Sequence, residues 1–172
     1  PLLRQENPEQ ALRPLERAAG RRGRREAALR LLGSTRYELK AFRGAVAALS
    51  RARELDPRHA GTALDLGKAH YRAREYERAA ALFREARELE PENSWGGIWL
   101  GLALAGSKDY PQAEAVYRQV MERDPGFIQS YIGLGDLAAR RGDAAAARAF
   151  YQQVLQLDPF HQATRDKLGR LE

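Results

Sequence analysis

Three histidines, a run of glutamates and two tryptophans are the side chains of this chain best suited to chemistry. His59, His70 and His161 could ligate a metal or carry a proton. His59 and His161, however, occupy one position of a 34-residue period, three copies apart, so they cannot meet. His70 falls in a packing column, where a histidine serves as a core or edge residue. Glu85, Glu88, Glu90 and Glu92 crowd one helix end and read as a solvated terminus, not an acid–base pair. The sequence has no HExxH, no Gly-rich phosphate loop and no Ser-His-Asp pattern. With no cysteine, thiol nucleophiles, disulfides and Cys-ligated metals are excluded. The expectation is a protein that is not an enzyme and holds no metal or cofactor.

What remains is binding chemistry. Both tryptophans, Trp95 and Trp99, lie four residues apart, with Ile98 between them and Leu102 one turn on. That spacing puts all four on one stripe of a helix. Thirty-four residues earlier the same offsets hold Gly61, Leu64, Asp65, Lys68, Tyr71 and Arg72. One copy before that they hold Ala27, Arg30, Leu31, Ser34, Tyr37 and Glu38. One copy after the tryptophans they hold Gln129, Ile132, Gly133, Asp136, Ala139 and Arg140.

The elements that position these stripes follow from the period itself. Pro57, Pro91, Pro125 and Pro159 are spaced by 34 residues each time. A strict period of this length marks a stacked repeat architecture. The clearest copy, residues 60–93, reads as two amphipathic helices with a break near Arg74–Glu75 and a stop at Glu90–Pro91. In the columns, Leu32–Gly33 is followed by Leu66–Gly67, Leu100–Gly101 and Leu134–Gly135. Ala45, Ala79, Ala113 and Ala147 recur in the second helices, each with a large residue four positions on: Leu49, Phe83, Tyr117 and Tyr151. The Leu should face the partner helix, and the Gly beside it should let two backbones approach closely. Each proline should end a second helix, because the residue before it is pushed out of the α region. Asp109, Pro111 and Gln112 form a helix-start signature, and Gly142–Asp143 supplies the equivalent turn one copy later.

Taken together these columns resemble the tetratricopeptide repeat, a 34-residue helix–turn–helix unit. The resemblance spans nearly the whole chain. It divides the chain into a partial repeat at 1–25, full repeats at 26–59, 60–93, 94–127 and 128–161, and a C-terminal capping helix at 162–172. In the partial repeat Ala11, Leu15 and Ala18 match Ala45, Leu49 and Ala52, while Pro14 should kink or fray the helix it falls in. In the last segment Ala163, Leu168 and Leu171 could cover the preceding copy. The array thus reads as finished at its C-terminus and cut at its start. Two positions depart from the pattern. Gly97 stands where Leu29 and Tyr131 place a large side chain, and Arg36 stands in an aromatic column.

The resemblance implies an all-α fold, a right-handed α-solenoid of stacked antiparallel helix pairs whose first helices line a concave groove. It also implies a binding scaffold. The groove residues would be Trp95, Trp99, Ile98, Leu102, Leu64, Lys68, Tyr71, Arg72, Tyr37 and Arg30, with Lys68, Arg72 and Arg30 forming a positive rim. The alternative for either tryptophan is to fill the space beside Gly97 and serve as core. Chaperone-tail-binding members use a clamp of Lys, Asn, Asn, Lys and Arg on successive first helices. Here Ile98, Trp99, Leu102, Ile132 and Asp136 fall at several of its positions, so that clamp is absent. The expected partner is a protein or peptide with an apolar or aromatic segment.

Charge supports a weaker reading. Residues 1–59 carry 14 Lys/Arg against 7 Asp/Glu, and residues 60–172 carry 15 against 16. The excess gathers at Arg21, Arg22, Arg24 and Arg25, a cluster able to bind nucleic acid. It falls where a loop between repeats belongs, the ordinary home of such charge, so nucleic acid is not the expected partner. No apolar run is long enough to span a membrane, and no signal peptide is recognisable. The chain opens on Pro1 and not Met, which suggests a piece of a longer protein. Because many bacterial envelope proteins resemble long tetratricopeptide arrays, a structural segment of a bacterial envelope or exopolysaccharide-export protein is the alternative function that the resemblance implies. A cytoplasmic and a periplasmic setting both fit.

Overall fold

A computed structural model describes Pro14 and residues 25–171 of the chain. The partial repeat expected at 1–25, including Ala11, Leu15 and Ala18, lies outside the described residues save for Pro14 and Arg25. So do Arg21, Arg22 and Arg24 of the basic cluster. Among the described residues every regular element is a helix. The chain divides into two compact units, residues 1–91 and 92–172.

The first unit holds α1 (Arg25–Glu38), α2 (Phe42–Leu55), α3 (Ala60–Arg72) and α4 (Tyr76–Leu89). In it α1 pairs with α2 and α3 with α4, and α2 packs on α3. The second unit holds α5 (Ser94–Gly106), α6 (Tyr110–Arg123), α7 (Ile128–Arg140), α8 (Ala144–Leu157) and α9 (Gln162–Gly169). Here each helix packs on the next, and α5 also reaches α7. Three-residue turns inside each pair force the two helices to run antiparallel.

The pairing rests on a knob and a notch. Had Gly67 a Cβ, it would lie 2.5 Å from Cε1 of Phe83, a ring with no solvent exposure. Gly33 receives Leu49, Gly101 receives Tyr117 and Gly135 receives Tyr151 in the same way. The large residue of the second helix thus sits in the space left by the glycine of the first. Tyr117 is wedged further, since a Cβ at Gly133 on the next first helix would also meet its ring, 2.7 Å from Cζ. Fully burying such side chains supplies roughly 1.5–3 kcal/mol each. The alanine column, Ala45, Ala79, Ala113 and Ala147, has no exposure at all, as close helix contact requires.

Helix ends follow the sequence signals. Asp56, Glu90, Asp124 and Asp158 precede the periodic prolines and leave the α region, with φ of −139°, −132°, −133° and −135°. Asp109 caps α6 by accepting the Gln112 N–H at 3.2 Å, and Asp143 caps α8 by accepting the Ala146 N–H at 2.9 Å. The turn inside each pair needs one left-handed residue. It is Gly142 in the last copy, but Lys40, Arg74 and Lys108 in the others, with φ of 59°, 64° and 67°. Arg36, in its aromatic column, lays its aliphatic stem over Gly44 and donates to the Gly44 carbonyl at 3.3 Å. Leu168 of α9 and Leu171 just past its end pack on the cluster of Ala138, Ala147 and Tyr151. Ala163 does not cover the preceding copy as expected. It is exposed, and Thr164 beside it takes the buried position.

Candidate functional site

In the first unit the stripes of α1 and α3 meet. Ser34, Tyr37 and Glu38 of α1 and Asp65 and Lys68 of α3 line a small cleft floored by Leu49. The Arg72 guanidinium stands 6.0 Å from the centre of the Tyr37 ring and 5.3 Å from that of Phe42. Burial pushes the Tyr37 phenol above its ordinary pKa, against the opposing pull of Arg72. Leu64 and Tyr71 are half-buried, and Tyr71 packs edge-on against Tyr76 at 5.5 Å.

The positive rim read from the sequence needs correction. Lys68 is paired with Asp65 of its own helix at 3.0 Å, and Arg30 with Glu26 at 2.7 Å. Arg30 also reaches the His59 ring at 3.0 Å. The reason is helical geometry: residues three and four apart share a face, so an acid at either offset neutralises the cation. This face is therefore electrically mixed.

The second unit carries the apolar stripe. Trp95 is 45% exposed, and its ring meets Phe127 edge-on, 5.2 Å between centroids. Trp99 and Leu102 are half-buried. Ile98 departs from the expected groove set: at 5% exposure it belongs to the core and offers a partner almost no surface. A stripe four residues wide on a 3.6-residue helix has one edge turned toward the packing face, and Ile98 is on that edge. No residue of α5 is charged.

Three features were not read from the sequence. His59 and His161 are helix N-caps, accepting the N–H of Thr62 at 3.0 Å and of Thr164 at 3.3 Å. The shared His-x-x-Thr spacing was the available signal. His70 is 8% exposed, and its Nδ1 lies 2.6 Å from Glu75, whose carboxyl is held below its usual pKa by His70 and Arg78. Finally, Asp136 accepts the Tyr151 hydroxyl at 2.6 Å and the Lys167 ammonium at 2.6 Å. Burial, then that hydrogen bond, raises the Tyr151 pKa well above the ordinary phenol value. Among the described residues no group of His, Asp and Glu is arranged to hold a metal ion. No described helix is long and apolar enough to cross a membrane.

Comparison with known proteins agrees with the repeat geometry. A family described as "Tetratricopeptide repeat" matches residues 2–60, 36–98, 64–126 and 98–161. No curated protein matches the chain significantly. Among solved structures, MamA 41-end from Desulfovibrio magneticus RS-1 is similar with TM-score 0.83 and 23% identity, over 92% of this chain and 90% of that one. TTC0263, a thermophilic tetratricopeptide protein of Thermus thermophilus, gives TM-score 0.78 and 20% identity over 95% and 90%. YrrB, described as having an unusual peptide-binding site, gives 0.77 and 18% over 93% and 82%. At these identities the likeness concerns the fold. The glycine notches, the periodic prolines and the matched residues together make this chain a member of the tetratricopeptide repeat family, whose fold serves as a protein-interaction scaffold.

Proposed function

We propose that the second unit holds an apolar segment of a partner protein, a peptide or a helix, against the partly exposed apolar stripe of α5. Trp95, Trp99 and Leu102 are its anchors, with Ile98 supporting them from the core. The observation that carries this reading is a helix without a single charge that nonetheless leaves Trp95 at 45% exposure. Leaving so large an apolar ring in water forgoes the stabilisation its burial would bring. Tryptophans placed this way are the usual hot spots of interfaces, about 2 kcal/mol or more each. The peptide-binding site named for YrrB supports the same use of a similar fold. Within the first unit, the α1–α3 face, with Tyr37, Leu64, Lys68, Tyr71, Arg72 and Arg30, offers a contact surface of mixed polarity.

The test begins with peptides selected from a displayed random library on the wild-type protein. Their affinities are then measured for Trp95→Ala, Trp99→Ala and the double variant, each checked for helix content. A true anchor loses about 30-fold per ring, the equivalent of about 2 kcal/mol. Undiminished binding by the folded double variant would refute the proposal.

A further inference from the structure

We infer that Asp136 is the recognition point for a basic side chain of the bound segment, and that Lys167 of α9 fills it as an internal stand-in. This inference rests on the reading just given and adds the charge of the partner to it. The inner stripe of α5 has no charge, and along the α7 stripe Asp136 is the single acid among Gln129, Ile132, Gly133 and Ala139, ahead of a terminal Arg140. It holds on α7 the repeat position that Leu102 holds on α5, so a segment lying on the tryptophan stripe passes it.

The site is already built for a cation. The Tyr151 hydroxyl donates to one Asp136 oxygen at 2.6 Å and fixes the carboxylate. The Lys167 ammonium bonds both oxygens, at 2.6 Å to Oδ2, and stands 5.7 Å from the Tyr151 ring centre. A carboxylate and an aromatic face converging on one nitrogen form a general cation site. Its receptor half is rigid, because Tyr151 is 3% exposed and seated against Gly135.

Its present occupant is exchangeable. The Asp136 and Lys167 side chains are 40% and 33% exposed, and ion pairs this open contribute little. Lys167 also rides on an eight-residue helix, shorter than the others described. A partner guanidinium can take its place and, being planar, bind both oxygens through a fork that an ammonium lacks. The site therefore selects arginine over lysine, and Lys167 competes with it.

The experiment uses one library-selected peptide containing arginine and its copy with norleucine at that position. Both are titrated against the wild type, Lys167→Met and Asp136→Asn. Asparagine keeps an acceptor for the Tyr151 hydroxyl. The arginine peptide should gain about 5-fold on Lys167→Met and lose at least 5-fold on Asp136→Asn, while the norleucine copy binds all three alike. An arginine preference that persists in Asp136→Asn, or no gain on Lys167→Met, would overturn the inference. Should Asp136→Asn fail to fold, the Lys167→Met result decides alone. Selected peptides that lack a recurrent basic position on Lys167→Met also overturn it. Binding that depends on Trp95 and Trp99 but ignores Asp136 removes this inference alone. Binding that ignores the tryptophans, or no selected binder, removes the reading beneath it as well.

Discussion

Replacing Gly135 by alanine tests whether the notch and knob set the helix spacing. A Cβ at this position would lie 2.7 Å from Cδ1 and 3.1 Å from Cζ of Tyr151, and nearer still to Cε1. Comfortable carbon contacts begin near 3.5 Å, so the ring or the helix must retreat by about an ångström. The ring is 3% exposed and tied through its hydroxyl to Asp136, which leaves no room to rotate away. Overpacking of this kind costs about 1–3 kcal/mol. Alanine is a better helix former than glycine by roughly 0.8–1 kcal/mol, which offsets part of it. With the ring pinned, the upper half of the range applies, and the net loss should be about 1–2 kcal/mol. Gly169 is the internal control, a helical glycine with nothing within 4 Å of a built Cβ. There only the propensity gain operates, and the sign reverses. Both tryptophans lie in the second unit, so urea titrations followed by tryptophan fluorescence report on it directly. A Gly135→Ala protein as stable as wild type would show that α7 and α8 are not held by this contact.

Two more perturbations act on the connections. Lys108 is a non-glycine residue at φ 67°, whereas Gly142 meets the same requirement at φ 80°. Lys108→Gly should stabilise the second unit by roughly 0.5–1 kcal/mol and Gly142→Ala should weaken it by about 1, and equal signs in the same titration would contradict the turn geometry. The Glu114 carboxyl accepts from Arg118 and Arg141, which hold it below its usual pKa. A depressed acid contributes stability above its unfolded pKa and loses it as pH falls through the folded one. The wild type should thus lose more stability than Glu114→Gln between pH 7 and pH 3.5. The difference should stay under about 1 kcal/mol, because the arginines are exposed. Identical losses would mean that the pair contributes nothing.

The fold was legible because each of its rules is written four times. A single Leu-Gly or one proline would say little, but their recurrence at 34 residues assigns a role to each column. The structure then adds which atoms meet: Gly67 and Phe83, or Gly101 and Tyr117. Histidine capping was hidden because histidine has no strong capping preference. It came from the fold, which places His59 and His161 where Asn93 stands in another copy. The left-handed Lys40, Arg74 and Lys108 were equally illegible, since nothing in a lysine or arginine announces positive φ.

The candidate site was harder to read, because it depends on orientation within a stripe and not on the stripe itself. The offsets placed Trp95, Ile98, Trp99 and Leu102 together, yet Trp95 and Ile98 point about 60° apart around the helix, enough to separate an exposed side chain from a buried one. Ile98 at 5% and Trp95 at 45% lie three residues apart. The charges failed for a similar reason. Lys68 and Arg30 were read as cations without their acids, although Asp65 and Glu26 stood at the offsets that neutralise them. Asp136 is the converse case. It looks like one more polar residue on a first helix, and its meaning depends on Tyr151 and on Lys167, 31 residues away. Periodicity describes what the copies share. Recognition has to come from what they do not share, and here that means an uncharged α5 and an acid at the one position where α3 has Lys68 and α5 has Leu102.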